Sequence, residues 1–355
     1  MTQISKKQLS NLAVSLVLIR LFFALPREML LAAGNAAWIL CIFLTLVALF
    51  LFFIITRVYT ENESPIEIAE RVGGKPFKVI TGLLCMAILI LKATGPIKIF
   101  LESVQIILLK NTPIEITVVF LLIALFIGAY SGIFSLSFLS GIFTPMVLVV
   151  LGLFLLFLIP DFDIKNLAPF LGNGAKGIFI DGLSCLSLFG DLFVLFFLLP
   201  FCKDKKALKK SGFRAILLVG SVFTVTLLIY GSIFPYPVSS EFIMPLFQLT
   251  RTIEIGDFFG RLEAFFELIW ALTFLIYGSV SIYTVSIIFK ETFSLKYEKP
   301  LILPITVIAI ATGFFQPSIV ELIKGDKIYS WVIIGAVFLL PVIYGLLSRK
   351  GRRHI

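Results

Sequence analysis

The stretch NLAVSLVLIRLFFALPREML, Asn11 to Leu30, decides how the chain is read. Its first fifteen residues have the character of a membrane helix, yet Arg20 stands near the middle of the apolar run and Pro26 interrupts its end. An arginine near a helix centre costs at least ~2.5 kcal/mol to place in lipid. Such a residue implies a partner, a cavity or a break in the helix.

The rest of the chain makes the bilayer the solvent. Of 355 residues, 59% are hydrophobic and 14% are charged. Ile116 to Pro160 contains no Asp, Glu, Lys or Arg. No soluble core hides that much apolar surface. Continuous apolar runs without period-two alternation predict helices rather than barrel strands. The expected class is an all-α integral membrane protein with about ten transmembrane helices. The expected spans are Leu9–Leu25, Trp38–Ile55, Phe77–Leu101, Ile116–Tyr130, Gly141–Ile159, Gly182–Phe201, Phe213–Ile233, Leu262–Phe289, Leu301–Phe315 and Tyr329–Leu347. The Gly and Ser residues of SGIFSLSFLSG are read as the reversal between the fourth and fifth, and the third run is long enough to continue to Leu109. The amino end is read as the first span rather than a cleaved signal peptide.

Basic residues set the expected orientation. With both termini cytoplasmic, Lys6, Lys7, the run KDKKALKKSGFR (Lys203 to Arg214) and the tail SRKGRRHI all lie inside. The net charge of +9 is then a topological signal with some contact to anionic membrane lipid. No nucleic-acid partner is expected, because the basic residues sit in short membrane-flanking loops. The four cysteines lie in or at the ends of spans and form no CxxC pair, and the one histidine, His354, is in the tail. The reading is therefore not an enzyme, with no cofactor, no metal constellation and no catalytic set.

Ten helices divide into five and five near Asp161, and odd-numbered halves must run in opposite senses across the membrane, the arithmetic of an inverted repeat. The expected division is a single polytopic domain over residues 1–355, with repeats of about 1–160 and 161–355. A binding site is then expected where both halves are interrupted. Helix 1 carries Arg20 and ends in LPRE; helix 6 carries SLFGDLF, in which Gly190 and Asp191 interrupt an apolar run. Arg20 and Asp191 are placed to pair across the centre, with snorkelling or another neighbour as the alternative. Candidate ligand-binding residues are Ile19, Arg20 and Leu21 in helix 1, Phe189, Gly190 and Asp191 in helix 6, Lys92 in helix 3 and Glu267 in helix 8. Lys98 and Glu102, four apart, read as a local ion pair. Glu61, Glu63, Glu67 and Glu70 in TENESPIEIAERVGGK read as the solvated face of a short surface helix. Glu263 is read as interfacial. The loop Phe234 to Arg261 is left open between a lid and a linker.

Several phrases, in order along nearly the whole chain, resemble the spore germination permease family: ALPREMLLAAGNAAW, NLAPFLGNGAKGIFIDG, LFGDLFVLFFLLPFCKDKKALKK, FPYPVSSEFIMPLFQLTRTIEIGDFFGRLEAFFELIW and FFQPSIVEL. That family supplies the membrane-embedded B subunits of nutrient germinant receptors, within the amino acid–polyamine–organocation transporter superfamily. The resemblance implies broken helices 1 and 6 and residence in the spore inner membrane. It implies an A subunit and a lipoprotein C subunit as partners, and a small-molecule nutrient, an amino acid or sugar, as the signal. Transporters of this superfamily often carry a Gly-rich break in helix 1; Ile19-Arg20-Leu21 has no glycine there. The alternatives are a proton- or sodium-coupled amino-acid transporter of the same fold, and a scaffold without a ligand.

Overall fold

The computed structural model describes residues 3–59, 63–107, 109, 111–202, 205–252, 262–316 and 330–351. Glu61, the side chain of Glu263, His354 and most of FFQPSIVEL lie outside the described residues. The described chain is helical, with a single isolated bridge between Ile4 and Cys202 as its only β pairing. Among the described residues, seven helices are long and apolar enough to cross a membrane; one of them, Leu25–Val58, joins the end of span 1 to span 2. Two shorter apolar helices, Ile114–Tyr130 and Lys299–Phe314, and the segment opening at Lys6–Leu18 complete ten spans. Ten crossings put the two ends of the described chain on one side, the terminal face.

Span 1 differs from the expected Leu9–Leu25. It starts at Lys6, capped by a reciprocal Ser5/Gln8 pair, and is α-helical to Leu18. It tightens to a 3-10 turn over Ile19–Phe22, turns at Phe23, and resumes as Leu25–Ala33. The break forms without glycine. Pro26 has no N–H and its ring excludes a helical bond to the carbonyl four residues earlier, Phe22, so the helix must be interrupted just upstream. Pro26 then sits in the first turn of the new helix, where a missing N–H costs nothing.

Span 6 also departs from the expected Gly182–Phe201. It runs from Gly174 to Phe197, with 3-10 geometry over Asp181–Phe193 between two short α segments. Runs of 3-10 helix beyond three or four residues are uncommon and mark strained or functional places. The reversal between spans 4 and 5 takes only Ser131, which caps both helices, so span 5 is longer than expected, Gly132–Phe157.

Contacts between spans repeat when each span of the first five is exchanged with its counterpart in the second five. Span 1 packs on 7 as 6 packs on 2; 1 on 5 as 6 on 10; 8 on 4 as 3 on 9. Spans 2 and 7, 3 and 8, and 4 and 9 pack on their own counterparts. This exchange holds broken spans 1 and 6 in the middle, with spans 3 and 8 beside them.

The terminal-face helix that precedes span 3 is present, joined to it by a kink at Gly74 within Pro65–Ile107. Its apolar residues Ile66, Ile68 and Ala69 are buried in the protein. Its acids are not simply a solvated face. Glu67 accepts from the Ser64 amide at 2.8 Å, Ser64 Oγ donates to Glu291 at 2.7 Å, and Lys78 bridges Glu70 (2.7 Å) and Ser294 (3.0 Å). These contacts tie the surface helix to the end of span 8. Lys98 and Glu102 form the expected i,i+4 pair at 3.1 Å.

Candidate functional site

The two breaks meet at one carboxylate. Arg20 Nε donates to Asp191 Oδ2 at 2.9 Å, and Lys92 Nζ lies 2.8 Å from Asp191 Oδ1. Arg20 Nη2 also donates to Tyr277 Oη at 3.3 Å, from span 8. Asp191 and Lys92 are each 2% exposed and Arg20 is 16% exposed. The expected Arg20–Asp191 pair therefore forms, but as part of a triad with two cations on one acid. An arginine survives in mid-membrane here because its partner is built into the opposite half of the fold.

Gly190 contributes space. A Cβ there would lie 2.9 Å from Lys92 Nζ and 2.7 Å from Ile333 Cγ2. The missing side chain lets Lys92 reach Asp191 across span 6.

Beside the triad lies a cavity of about 90 Å³. Arg20 and Lys92 line it, with Thr94, Ser187, Gln316 and Ser330 as further polar groups and Phe23, Ile99 and Ile333 among the apolar ones. Asp191 is not among the residues that line it. On the side facing away from the termini, Phe23 packs edge-on against Trp270 (5.8 Å between centroids) and Phe274 (6.4 Å), and Phe100 stacks on Phe274 at 4.2 Å. Glu267, one turn from Trp270 on the same helix, is not among the lining residues.

Of the eight candidate residues, four converge: Arg20, Lys92, Gly190 and Asp191. Ile19, Leu21 and Phe189 are fully buried in the apolar core and do not line the cavity. Glu267 is also fully buried and does not line the cavity, with no hydrogen-bond partner for either oxygen among the described residues. Sequence reading missed Tyr277, Thr94, Ser187, Gln316 and Ser330. Hydroxyls are frequent in apolar spans and usually bond their own helix, as Thr94 does to Leu91, so their composition carries no signal of a cavity.

A second cluster, on the face away from the termini, clasps span 1. Asn35 donates to the Ala168 carbonyl (2.7 Å) and accepts from the Tyr236 amide (3.1 Å). Asn173 donates through its side chain to Leu31 and Ala32 carbonyls, each at 3.2 Å, and through its amide to Ala33 at 3.1 Å. Arg27 Nε donates to the Ser240 carbonyl at 2.8 Å. The phrases LPREMLLAAGNAAW, NLAPFLGNGAKG and FPYPVSS are thus three sides of one joint. The loop after span 7 is folded rather than a plain linker in its described part: Pro245–Thr250 packs against the break of span 1. Its residues 253–261 lie outside the described residues.

A family described as "Spore germination protein" matches residues 3–318. The chain belongs to this family. Spore germination protein KB of Bacillus subtilis (strain 168) is 27% identical over 298 residues, covering 80% of this chain and 79% of that protein. Spore germination protein A2 of the same organism is 27% identical over 344 residues, covering 93% and 91%. Among solved structures, a manganese transporter from Eremococcus coleocola superposes with a TM-score of 0.57 at 15% identity, over 98% of this chain and 77% of that one. At that identity the likeness concerns the fold, a transporter architecture, and nothing of its cargo. The spore germination protein described here is accordingly an integral membrane protein with a transporter fold whose first and sixth spans are broken.

Proposed function

We propose that this chain is the membrane-embedded subunit of a nutrient germinant receptor, and that the cavity between the broken spans receives the nutrient. The observation that carries this reading is the cavity itself. It lies where two interrupted spans cross, beside a buried charged triad, in a chain of the spore germination family. Broken spans free backbone groups and expose side chains at mid-membrane depth, which is where transporter folds bind small polar molecules. The same reading places the chain in the spore inner membrane with an A subunit and a lipoprotein C subunit. It treats residues of about 1–160 and 161–355 as inverted repeats that close around the cavity.

Deleting the gene is expected to abolish the response of dormant spores to one class of nutrient. Triggers that bypass receptors should still work, and uptake by growing cells should be unchanged. The shared fold with a solved transporter favours a second reading, a coupled amino-acid transporter. Unaltered germination together with lost uptake of one amino acid would establish that reading instead.

The terminal face is assigned to the cytoplasm from Lys6, Lys7 and the basic run before span 7. Val238, 49% exposed in the loop after span 7, reports on the opposite side. Val238→Cys in a variant lacking the four native cysteines is expected to react with an impermeant thiol reagent in intact cells. Protection there, with labelling only after permeabilisation, would reverse the orientation.

A further inference from the structure

We propose that the terminal-face end of the seam between spans 4 and 9 binds one anionic phospholipid, with Lys296 and Lys299 holding its phosphate. The proposal is independent of what the central cavity receives.

Two lysines there lie on aromatic rings rather than on acids. In the loop from span 8 to span 9, Lys296 Nζ is 5.2 Å from the centroid of the Tyr297 ring. Lys299 Nζ is 4.8 Å from that of Tyr130, the last residue of span 4. Both lysines and both rings are exposed. Among the described residues neither lysine forms an ion pair: Glu298, between them, is engaged by Lys290 at 3.0 Å. Glu291, the next acid back along the chain, accepts from Ser64 at 2.7 Å. A ring face steadies an ammonium group and leaves N–H donors free for a ligand. Tyr297, Glu298, Lys299 and Pro300 line a groove of about 290 Å³ beside them.

Below the lysines the surface is apolar. Phe120, Ile123, Ile127 and Tyr130 follow at steps of three and four along span 4, and Lys299, Leu303 and Val307 at steps of four along span 9. All are exposed. Such spacing puts each set on one helix face, and the two faces meet where Lys299 lies on Tyr130. Lys299 to Val307 is about 12 Å along the helix, close to the hydrocarbon depth of one leaflet, about 15 Å. A phosphate at the lysines therefore lays its acyl chains along Ile127, Ile123, Leu303 and Val307.

The two helices also draw a headgroup to this level. Spans 4 and 9 are 17 and 16 residues long, roughly 25 Å against a hydrocarbon core of about 30 Å. Lipid beside short spans thins to match them, which brings its phosphate down to the lysines. A water-soluble acidic peptide would meet the same cations and leave the apolar faces uncovered; a phospholipid fits both parts. Span 4 belongs to the first five spans and span 9 to the second five, so one lipid here touches both halves of the fold.

The test counts lipid adducts on the full-length protein in detergent by native mass spectrometry, with phosphatidylglycerol against phosphatidylcholine of the same acyl chains. Phosphatidylglycerol is expected to bind about fivefold or more tightly than phosphatidylcholine. Lys296→Gln with Lys299→Gln should erase that preference, and Lys296→Arg with Lys299→Arg should keep it. Lys75→Gln with Lys210→Gln removes the same charge from exposed positions elsewhere on the terminal face and should leave the preference unchanged. Equal losses in the two glutamine pairs would overturn the site in favour of bulk surface charge. A preference that survives Lys296→Gln with Lys299→Gln would overturn the two lysines as its source. Hexaglutamate or glycerol 3-phosphate bound as tightly as the lipid would overturn the assigned ligand, in favour of a peptide or of a free phosphate. Equal binding of the two lipids by the native protein would overturn the proposal without any variant.

Discussion

Asp191→Ala is expected to lower folded yield and thermal stability more than the loss of either of its cationic partners. Removing one member of a buried pair costs about 3–5 kcal/mol, because the other is left as an uncompensated charge. Here one acid serves two cations, Arg20 at 2.9 Å and Lys92 at 2.8 Å, so its removal takes a carboxylate from both at once. Arg20→Met and Lys92→Met each leave one complete pair and should be much milder. The measurement is the temperature at which half of the purified protein aggregates in detergent, together with membrane yield. The triad also changes what a double substitution should show. Were Arg20 and Asp191 an isolated pair, replacing both would relieve the damage of replacing one. With Lys92 present, Arg20→Met combined with Asp191→Ala still leaves a bare buried cation. Only the further change Lys92→Met should recover stability. If Asp191→Ala proves no worse than Lys92→Met, or if the double change alone restores stability, the shared-acid arrangement is wrong.

Gly172→Ala is expected to open the clasp on span 1, at a cost on the order of 3–5 kcal/mol. Two effects add. Gly172 has φ +48°, a conformation that side chains resist, and its Cβ would lie 1.9 Å from the Ala33 carbonyl oxygen and 2.8 Å from the Ala36 amide nitrogen. Both obstacles are backbone, so no side chain can swing aside. The loop must lift, and the bonds from Asn173 to Leu31, Ala32 and Ala33 go with it. Gly152→Ala is the control, since a Cβ at that position meets nothing within 4 Å. It should leave stability unchanged or slightly raised. The same thermal aggregation measurement compares the two, and equal midpoints would show that the Gly172 joint carries no stability. A lowered midpoint accompanied by altered nutrient sensitivity would tie the clasp to the position of the second half of span 1.

Much of this architecture was legible in composition and order alone. Apolar runs too long for any soluble core determined a helical membrane protein, and their number predicted about ten crossings. Arg20 inside span 1 and Asp191 inside span 6 were conspicuous for an energetic reason. A charge in lipid is expensive, so its presence in an apolar run announces an interior location before any coordinates exist. That same cost made their pairing a reasonable expectation.

What only the tertiary structure decided is geometry between segments distant in sequence. Lys92 was marked as a deep cation, but nothing in span 3 says that it shares an acid with Arg20. That depends on the Lys92 side chain reaching span 6 at Gly190, where the missing side chain leaves it a path. Ile19, Leu21 and Phe189 were expected at the site because they neighbour its charges along the chain. The 3-10 turns instead direct them into the apolar core, since adjacent residues on a tight helix face different ways. The break in span 1 needed no glycine because Pro26 imposes it from downstream, an effect local to the backbone but invisible in the three residues that bear it. Glu267 lies on the same helix as Tyr277 but is buried away from the cavity lining, which its place in the sequence could not show. The sequence determines which residues cannot face lipid; which of them meet is set by how the broken spans cross.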